Sequence, residues 1–190
     1  MKLNILTAGV TALSLALGGA AFAASHSATG NPMVGGAAMF PDRNIVENAV
    51  NSADHTTLVS AVQAAGLVDT LQGEGPFTVF APTNEAFAAL PQDQVAALME
   101  PENRGRLREI LTCHVVAANA MSDAIAGMIA DDGGAHTVPT VGGCMLTARM
   151  DNGMITLTDE QGRTATVTTA DVVQSNGVIH VIDTVLLPGM

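Results

Sequence analysis

The spacing of apolar residues divides the chain into a mainly helical half followed by a mainly β-stranded half. In the first half, apolar residues recur three or four positions apart, which is the period of a helix with one buried face. This period predicts helices over residues 43–51, 56–65, 91–98, 102–112 and 122–130, with a short helix after Pro82 and strands at 77–81 and 113–116. After Gly134 the period changes to two, which predicts strands joined by turns at 151–153, 161–162 and 176–177.

Short polar residues and glycines mark where several of these elements begin and end. Asp54 and Ser122 are predicted to be N-caps of the helices over 56–65 and 122–130. Gly66 is predicted to end the first of these two helices. Asn176-Gly177 is the preferred sequence of a type I′ turn between two strands. Because helices and strands are segregated along the chain, the fold class is predicted to be α+β.

The first 23 residues have the organisation of a secretory signal peptide. Lys2 precedes an apolar run at residues 3–17, and Ala21-Phe22-Ala23 places small residues before a cleavage point. The run is short for a transmembrane helix, which needs roughly 20 apolar residues. We therefore expect a secreted protein, in the periplasm or outside the cell on its surface. We also expect no membrane insertion after cleavage.

The rest of the chain is expected to form one domain after a flexible lead-in. Residues 24–42 are rich in Gly, Ala and Ser, which is typical of a flexible N-terminal segment. Residues 43–188 have the length of a single domain with its own core and show no internal repeat.

The net charge argues against nucleic acid as a partner. The formal net charge is −11, and Lys2 is the only lysine, so removal of the signal peptide makes the chain more acidic still. An acidic surface repels phosphate backbones, so nucleic acid is not an expected partner.

The two cysteines, Cys113 and Cys144, allow two states. In an oxidising compartment a disulfide is favoured, and closing a loop of about 30 residues would stabilise the fold by roughly 3 kcal/mol. The alternative is two buried free thiols, which pack as small apolar groups. Zinc is not expected, because two cysteines without nearby paired histidines do not supply four ligands.

Three segments resemble the fasciclin domain family. They are residues 77–87 (FTVFAPTNEAF), residues 111–116 (LTCHVV) and residues 176–186 (NGVIHVIDTVL), in the family's order and spacing. The resemblance extends over most of the chain after the signal peptide. Cys113 stands where the family usually has a tyrosine, and this position fits a bond to Cys144.

The resemblance implies a fasciclin-like β-sandwich or wedge flanked by several short helices. It also implies a non-enzymatic module, without a cofactor, that mediates cell-surface or matrix adhesion. The expected partner is a cell-surface or extracellular-matrix protein or polysaccharide. Candidate binding residues are Thr83, Asn84 and His114.

Structural roles compete with each candidate chemical role. Thr83 and Asn84 follow Pro82 at a helix start, where capping explains both. His114 and His180 lie in apolar strand-like runs, which favours hydrogen-bonded core histidines over catalytic bases. No catalytic or metal-ligating residue is expected. The alternative functions are a periplasmic carrier of a small ligand or pigment, which needs an apolar pocket, and an exported hydrolase, which needs converging polar groups.

Overall fold

The computed structural model describes residues 30–189, so the signal peptide predicted over residues 1–23 lies outside the described part. The helices are α1 (Ile45–Ala49), α2 (Thr56–Ala65), α3 (Val68–Leu71), α4 (Asn84–Ala88), α5 (Gln92–Leu98), α6 (Arg104–Thr112) and α7 (Ser122–Asp131). The strands are β1 (Met33–Val34), β2 (Ala37–Ala38), β3 (Phe77–Pro82), β4 (Val115–Val116), β5 (His136–Pro139), β6 (Met145–Asp151), β7 (Met154–Thr158), β8 (Thr164–Gln174) and β9 (Gly177–Ile182). Short 3₁₀ turns at Ala53–His55 and Pro101–Asn103 precede α2 and α6.

Seven strands form one strongly bent sheet in the order β4-β3-β9-β8-β7-β6-β5. Strands β3 and β9 are parallel, and the other neighbours are antiparallel. Register irregularities lie within β8, between Val167 and Thr169 and between Thr169 and Val172, and such bulges increase bending and twist. After β5, the Val141 N–H donates to the Val115 carbonyl at 2.8 Å, so the chain beyond one edge strand meets the other edge. The predicted α+β wedge with short helices is confirmed.

Two apolar cores lie on opposite faces of the central strands. The first core packs the helices against the sheet and includes Leu58, Val62, Leu111 and Ile179. The second core fills the bend of the sheet, and its buried members come from β3, β4, α7, the five strands from β5 to β9, and Leu186 after β9. Strands β3 and β9 contribute to both cores because alternate side chains point to opposite faces.

Helix α2 and strand β3 show how closely the sequence pattern determined some elements. Helix α2 has the predicted bounds, buries Leu58, Val62 and Ala65, and ends at Gly66, where φ is 67°. Strand β3 extends the predicted strand by one residue, to Pro82. Both elements combine a clear apolar period with an end signal in the adjacent residues.

The described part of the N-terminal segment, residues 30–42, is more ordered than the flexible lead-in expected from its composition. Strands β1 and β2 form a hairpin in which Val34 pairs with Ala37. Gly35 and Gly36 have φ values of 56° and 76°, as a type I′ turn requires. Val34 and Met39 are buried in the first core, so this segment is part of the packed structure.

Three local predictions of caps and turns were wrong. Asp54 lies in a 3₁₀ turn and does not cap α2, and Ser122 is the first residue of α7, without a capping bond from its side chain. At the β8–β9 connection, Gln174 pairs with Gly177, so the turn residues are Ser175 and Asn176, and neither has positive φ. The turn is therefore not type I′.

Position 177 is occupied by glycine because the backbone of β3 approaches it closely. Gly177 pairs with Phe77 across the parallel β3–β9 ladder. A Cβ at position 177 would collide with the Phe77 carbonyl oxygen. Within residues 30–189, no helix combines the length and the apolar character needed to cross a bilayer.

Candidate functional site

Thr83 and Asn84 stand together at the start of α4. The Thr83 hydroxyl caps the helix by accepting from the Ala86 N–H at 3.3 Å. Asn84 Oδ1 accepts from the Thr57 N–H at 3.0 Å, and Asn84 Nδ2 donates to the Ala53 carbonyl at 2.8 Å. Thus Thr83 caps its own helix, whereas Asn84 holds the first turn of α2 beside it.

His114 is buried between α6 and the C-terminal segment, with 2% of its surface exposed. Its Nδ1 donates to the Ile110 carbonyl at 2.8 Å, and its Nε2 accepts from the Leu186 N–H at 2.9 Å. The tautomer is assigned from these partners, because an N–H donor requires an unprotonated Nε2. Burial lowers the pKa of His114 to about 4, so the ring is neutral at pH 7.

His180 is equally enclosed on β9. Its Nε2 donates to the Ala120 carbonyl at 2.8 Å, and its Nδ1 accepts from the Asp171 N–H at 3.3 Å. The ring stacks on Phe80, with centroids 5.7 Å apart. Burial lowers the pKa of His180, against a smaller opposing effect of the Ala120 carbonyl. His114 and His180 therefore both hold backbone groups in place, as the structural interpretation predicted.

Cys113 and Cys144 form a disulfide in the structure, with Cα atoms 5.3 Å apart. Both residues are buried. The bond joins the end of α6 to the start of β6, close to where the Gly142 N–H donates to the Thr112 carbonyl at 3.0 Å. A disulfide is typical of proteins outside the cytoplasm.

His55, a polar residue at an apolar cavity, was not predicted from the sequence. His55 lies where the 3₁₀ turn meets α2, and 3% of its surface is exposed. It lines a cavity of about 50 Å³ with the apolar side chains of α1, α2 and the N-terminal hairpin. His55 follows the polar run Asn51-Ser52-Ala53-Asp54, so no local signal marked it as buried.

The chemistry of His55 differs from that of the other two buried histidines. Its Nδ1 lies 2.8 Å from the Ser52 hydroxyl oxygen, but its Nε2 has no hydrogen-bond partner. Burial lowers the pKa of His55. The nearby Ala81 backbone opposes this shift, although it does not meet hydrogen-bond geometry with Nε2. The structure therefore brings Thr83 and Asn84 together, places His114 in the interior, and adds His55 at the cavity.

Metal binding has no obvious location in this part of the chain. Residues 30–189 hold no group of three or more His, Cys, Asp or Glu side chains arranged to bind a metal ion.

Comparison with solved structures identifies the fold. The chain superimposes on the FAS1 domain pair from the insect cell adhesion molecule Fasciclin I with a TM-score of 0.69 and 18% identity, over 77% of this chain and 51% of that chain. The fold is therefore the mixed α+β FAS1 fold, with a nearly closed seven-stranded sheet and several short helices.

Sequence comparisons then define the family. The fasciclin domain model matches residues 53–188. Protein sll1483 of Synechocystis sp. is 41% identical over 95% of this chain and 93% of its own length. The cell surface glycolipoprotein MPB83 of Mycobacterium bovis is 34% identical over 90% of this chain and 70% of its own length. The chain belongs to the fasciclin domain family, whose members are known as adhesion-related binding modules and are generally non-catalytic.

Proposed function

We propose that this protein is a secreted, non-enzymatic module that mediates adhesion to a cell-surface or extracellular-matrix protein or polysaccharide. The observation that carries this proposal is the fasciclin domain match over residues 53–188. The disulfide and the similarity to a cell surface glycolipoprotein support a location outside the cytoplasm. The engaged ring nitrogens of His114 and His180 support binding over catalysis, since neither ring is available as a base.

We assign the contact to the surface around Thr83 and Asn84, defined here as the α2–α4 face. Exposed side chains on this face include Thr56 and Ser60 from α2 and Glu85 from α4. The Asn84 hydrogen bonds fix the two helices relative to each other. A face held in one arrangement loses little conformational entropy when it binds a partner.

His114 supports this face from the interior. Together with Phe87 of α4, it lines a second, smaller cavity of about 20 Å³. Because the His114 ring is buried, we assign it a positioning role beneath α4 without contact to the partner.

The proposal is tested with labelled protein comprising residues 24–190. Its binding to the producer cells and to their extracellular polysaccharide is measured against a heat-denatured control. Saturable binding that unlabelled protein competes away is expected. Binding no greater than that of the denatured control would refute the adhesion function.

A pair of matched variants locates the contact. Glu85 and Asp93 are both exposed acids in the first turn of a short helix, on α4 and α5 respectively. Glu85→Lys reverses a charge on the α2–α4 face, and Asp93→Lys makes the same change off that face. We expect Glu85→Lys alone to weaken adhesion. An equal loss in both variants would show that net charge, rather than this face, controls binding.

A further inference from the structure

The cavity beside His55 has the composition of a site for an apolar molecule. It lies between α1, α2 and the first core of the sheet, and the N-terminal hairpin contributes Val34 from β1. Its lining is almost entirely aliphatic, with Ile45, Leu58, Val62 and Ile179 among its members. Cavities of this composition stay dry and take up apolar ligands.

One polar atom in this lining makes no hydrogen bond of good geometry. His55 Nε2 is buried and has no partner within hydrogen-bond geometry, although the Ala81 backbone lies near the ring, whereas the two ring nitrogens of His114, which also lines the cavity, are both engaged. A buried polar atom without a partner is costly to keep, so it is usually satisfied by a ligand or water. A bound water needs at least two polar partners, and this aliphatic lining offers few.

The hydrogen bond with Ser52 indicates which ring nitrogen of His55 carries the proton. If the Ser52 hydroxyl donates to Nδ1, its only hydrogen is satisfied and the ring proton is on Nε2. The opposite tautomer would leave the serine hydrogen without a partner in a buried position. The favoured tautomer therefore presents an N–H donor at Nε2, and the complementary ligand group is an acceptor.

We propose that this cavity binds a small apolar molecule carrying a single hydrogen-bond acceptor, such as a carbonyl oxygen, and that His55 Nε2–H donates to that acceptor. The aliphatic lining holds the hydrocarbon part of the ligand. This site is separate from the α2–α4 face and does not depend on the adhesion function.

The N-terminal hairpin gives this site an entrance. The cavity volume of about 50 Å³ is smaller than the roughly 150 Å³ of a cavity that accepts benzene, so a ligand of that size requires the hairpin to move outward. The hairpin is attached by the bond from the Ala53 N–H to the Gly35 carbonyl, at 3.1 Å. Just beyond Met39, the Asn48 side chain binds both the N–H and the carbonyl of Phe40, at 2.9 and 2.7 Å. The two Asn48 bonds fix the point about which residues 33–39 would swing, and the Gly35–Ala53 bond would break.

The test compares two ligands of similar size, cyclohexanone and methylcyclohexane, which differ in the carbonyl oxygen. Each is titrated into the protein comprising residues 24–190, and backbone amide shifts are followed by NMR. We expect saturable shifts confined to α1, α2 and the hairpin, with cyclohexanone bound about fivefold more tightly, the usual effect of one hydrogen bond. No saturable shift with either ligand, or shifts scattered over the surface, would overturn the proposal.

Variants then separate the apolar and polar parts of the site. His55→Phe keeps a ring in the lining but removes the donor, so the two ligands should bind equally; a persistent preference for the ketone would exclude His55 as the donor. Ala49→Leu adds bulk to the lining and should reduce binding of both ligands at least tenfold. Val50→Leu, on an exposed neighbour outside the lining, is its control and should bind normally. Equal binding by Ala49→Leu and Val50→Leu would place the ligand elsewhere.

Discussion

The carboxylate of Asp171 on β8 accepts hydrogen bonds from both the backbone N–H and the hydroxyl of Ser122, the first residue of α7. The N–H bond is 2.7 Å long. Asp171 has a φ of 59°, a conformation that is uncommon for residues other than glycine. A residue 49 positions away in sequence therefore provides the N-terminal cap of α7.

Replacing Asp171 tests this remote cap. Asp171→Ala removes the acceptors of Ser122 and leaves an alanine at positive φ, so we expect the free energy of unfolding to fall by about 2 kcal/mol. Asp171→Asn keeps one acceptor oxygen and should lose less than half as much. Urea denaturation of both variants measures the difference, and a loss in Asp171→Ala no greater than the ~1 kcal/mol cost of alanine at positive φ would show that the cap contributes nothing.

Asn84 likewise caps α2 from a distant position in the sequence. Asn84→Ala leaves the Thr57 N–H and the Ala53 carbonyl without their partner, so we expect a loss of about 2 kcal/mol in the free energy of unfolding. Thr83→Ala removes a single capping bond, and about 1 kcal/mol is expected. Thermal denaturation followed by circular dichroism compares the two. If Thr83→Ala is the more harmful change, the assignment of Asn84 as the link between α2 and α4 is wrong.

Two glycines should respond to alanine in opposite directions. At Gly177 the added methyl group meets the Phe77 carbonyl, which requires the parallel β3 and β9 strands to separate, so we expect a loss of at least 2 kcal/mol. Gly127 lies in the interior of α7 with open space around its Cβ position, so alanine there should stabilise by roughly 0.5–1 kcal/mol. Chemical denaturation of both variants provides the check, and a stable Gly177→Ala protein would contradict the close approach.

His114 should make the fold sensitive to mild acid. Its pKa is about 4 in the folded state and 6.5 ordinarily, so the unfolded chain takes up a proton first as the pH falls. The stabilisation from neutral His114 is complete above pH 6.5, falls between pH 6.5 and about 4, and is lost below that range. The total loss is about 3 kcal/mol, to which His55 and His180 add in the same direction.

The measurement is the free energy of unfolding by urea at several pH values between 7 and 4. His114→Gln should reduce the slope against pH, whatever its effect at pH 7. His136→Gln changes a partly exposed histidine and is the control. An unchanged slope in His114→Gln would mean that His114 has the same pKa in the folded and unfolded states.

The sequence predicted elements whose signals are local, and it failed where distant residues meet. Helix α2 and strand β3 were predictable because apolar period and end signals lie within each segment. The caps of α2 and α7 were not, because the N–H groups of Thr57 and Ser122 are bound by Asn84 and Asp171, 27 and 49 residues away. Short polar residues such as Asp54 signal a helix start nearby but do not identify which side chain will cap it.

The same limit applies to the candidate site. The apolar runs around His114 and His180 were enough to predict buried, hydrogen-bonded rings. His55 was missed because it follows a polar run, and because the hairpin that packs against Ser52 and Ala53 was interpreted as part of a flexible segment. Whether Thr83 and Asn84 lie on a binding face stays a prediction until the adhesion of the matched variants is measured.

The parallel pairing of β3 and β9 has a consequence for how the chain folds as it is made. The ladder runs from the Phe77–Gly177 pair to the Pro82–Ile182 pair, so the centre of the sheet joins segments 100 residues apart. A chain that emerges N-terminus first therefore has β3 available long before its central partner. Until β9 arrives, both cores lack the side chains that this strand contributes, and the ordering of such non-local contacts is slow. Folding of this domain is thus expected to be cooperative and to occur only after β9 has been made. A chain that stops short of β9 should remain susceptible to proteolysis along its whole length.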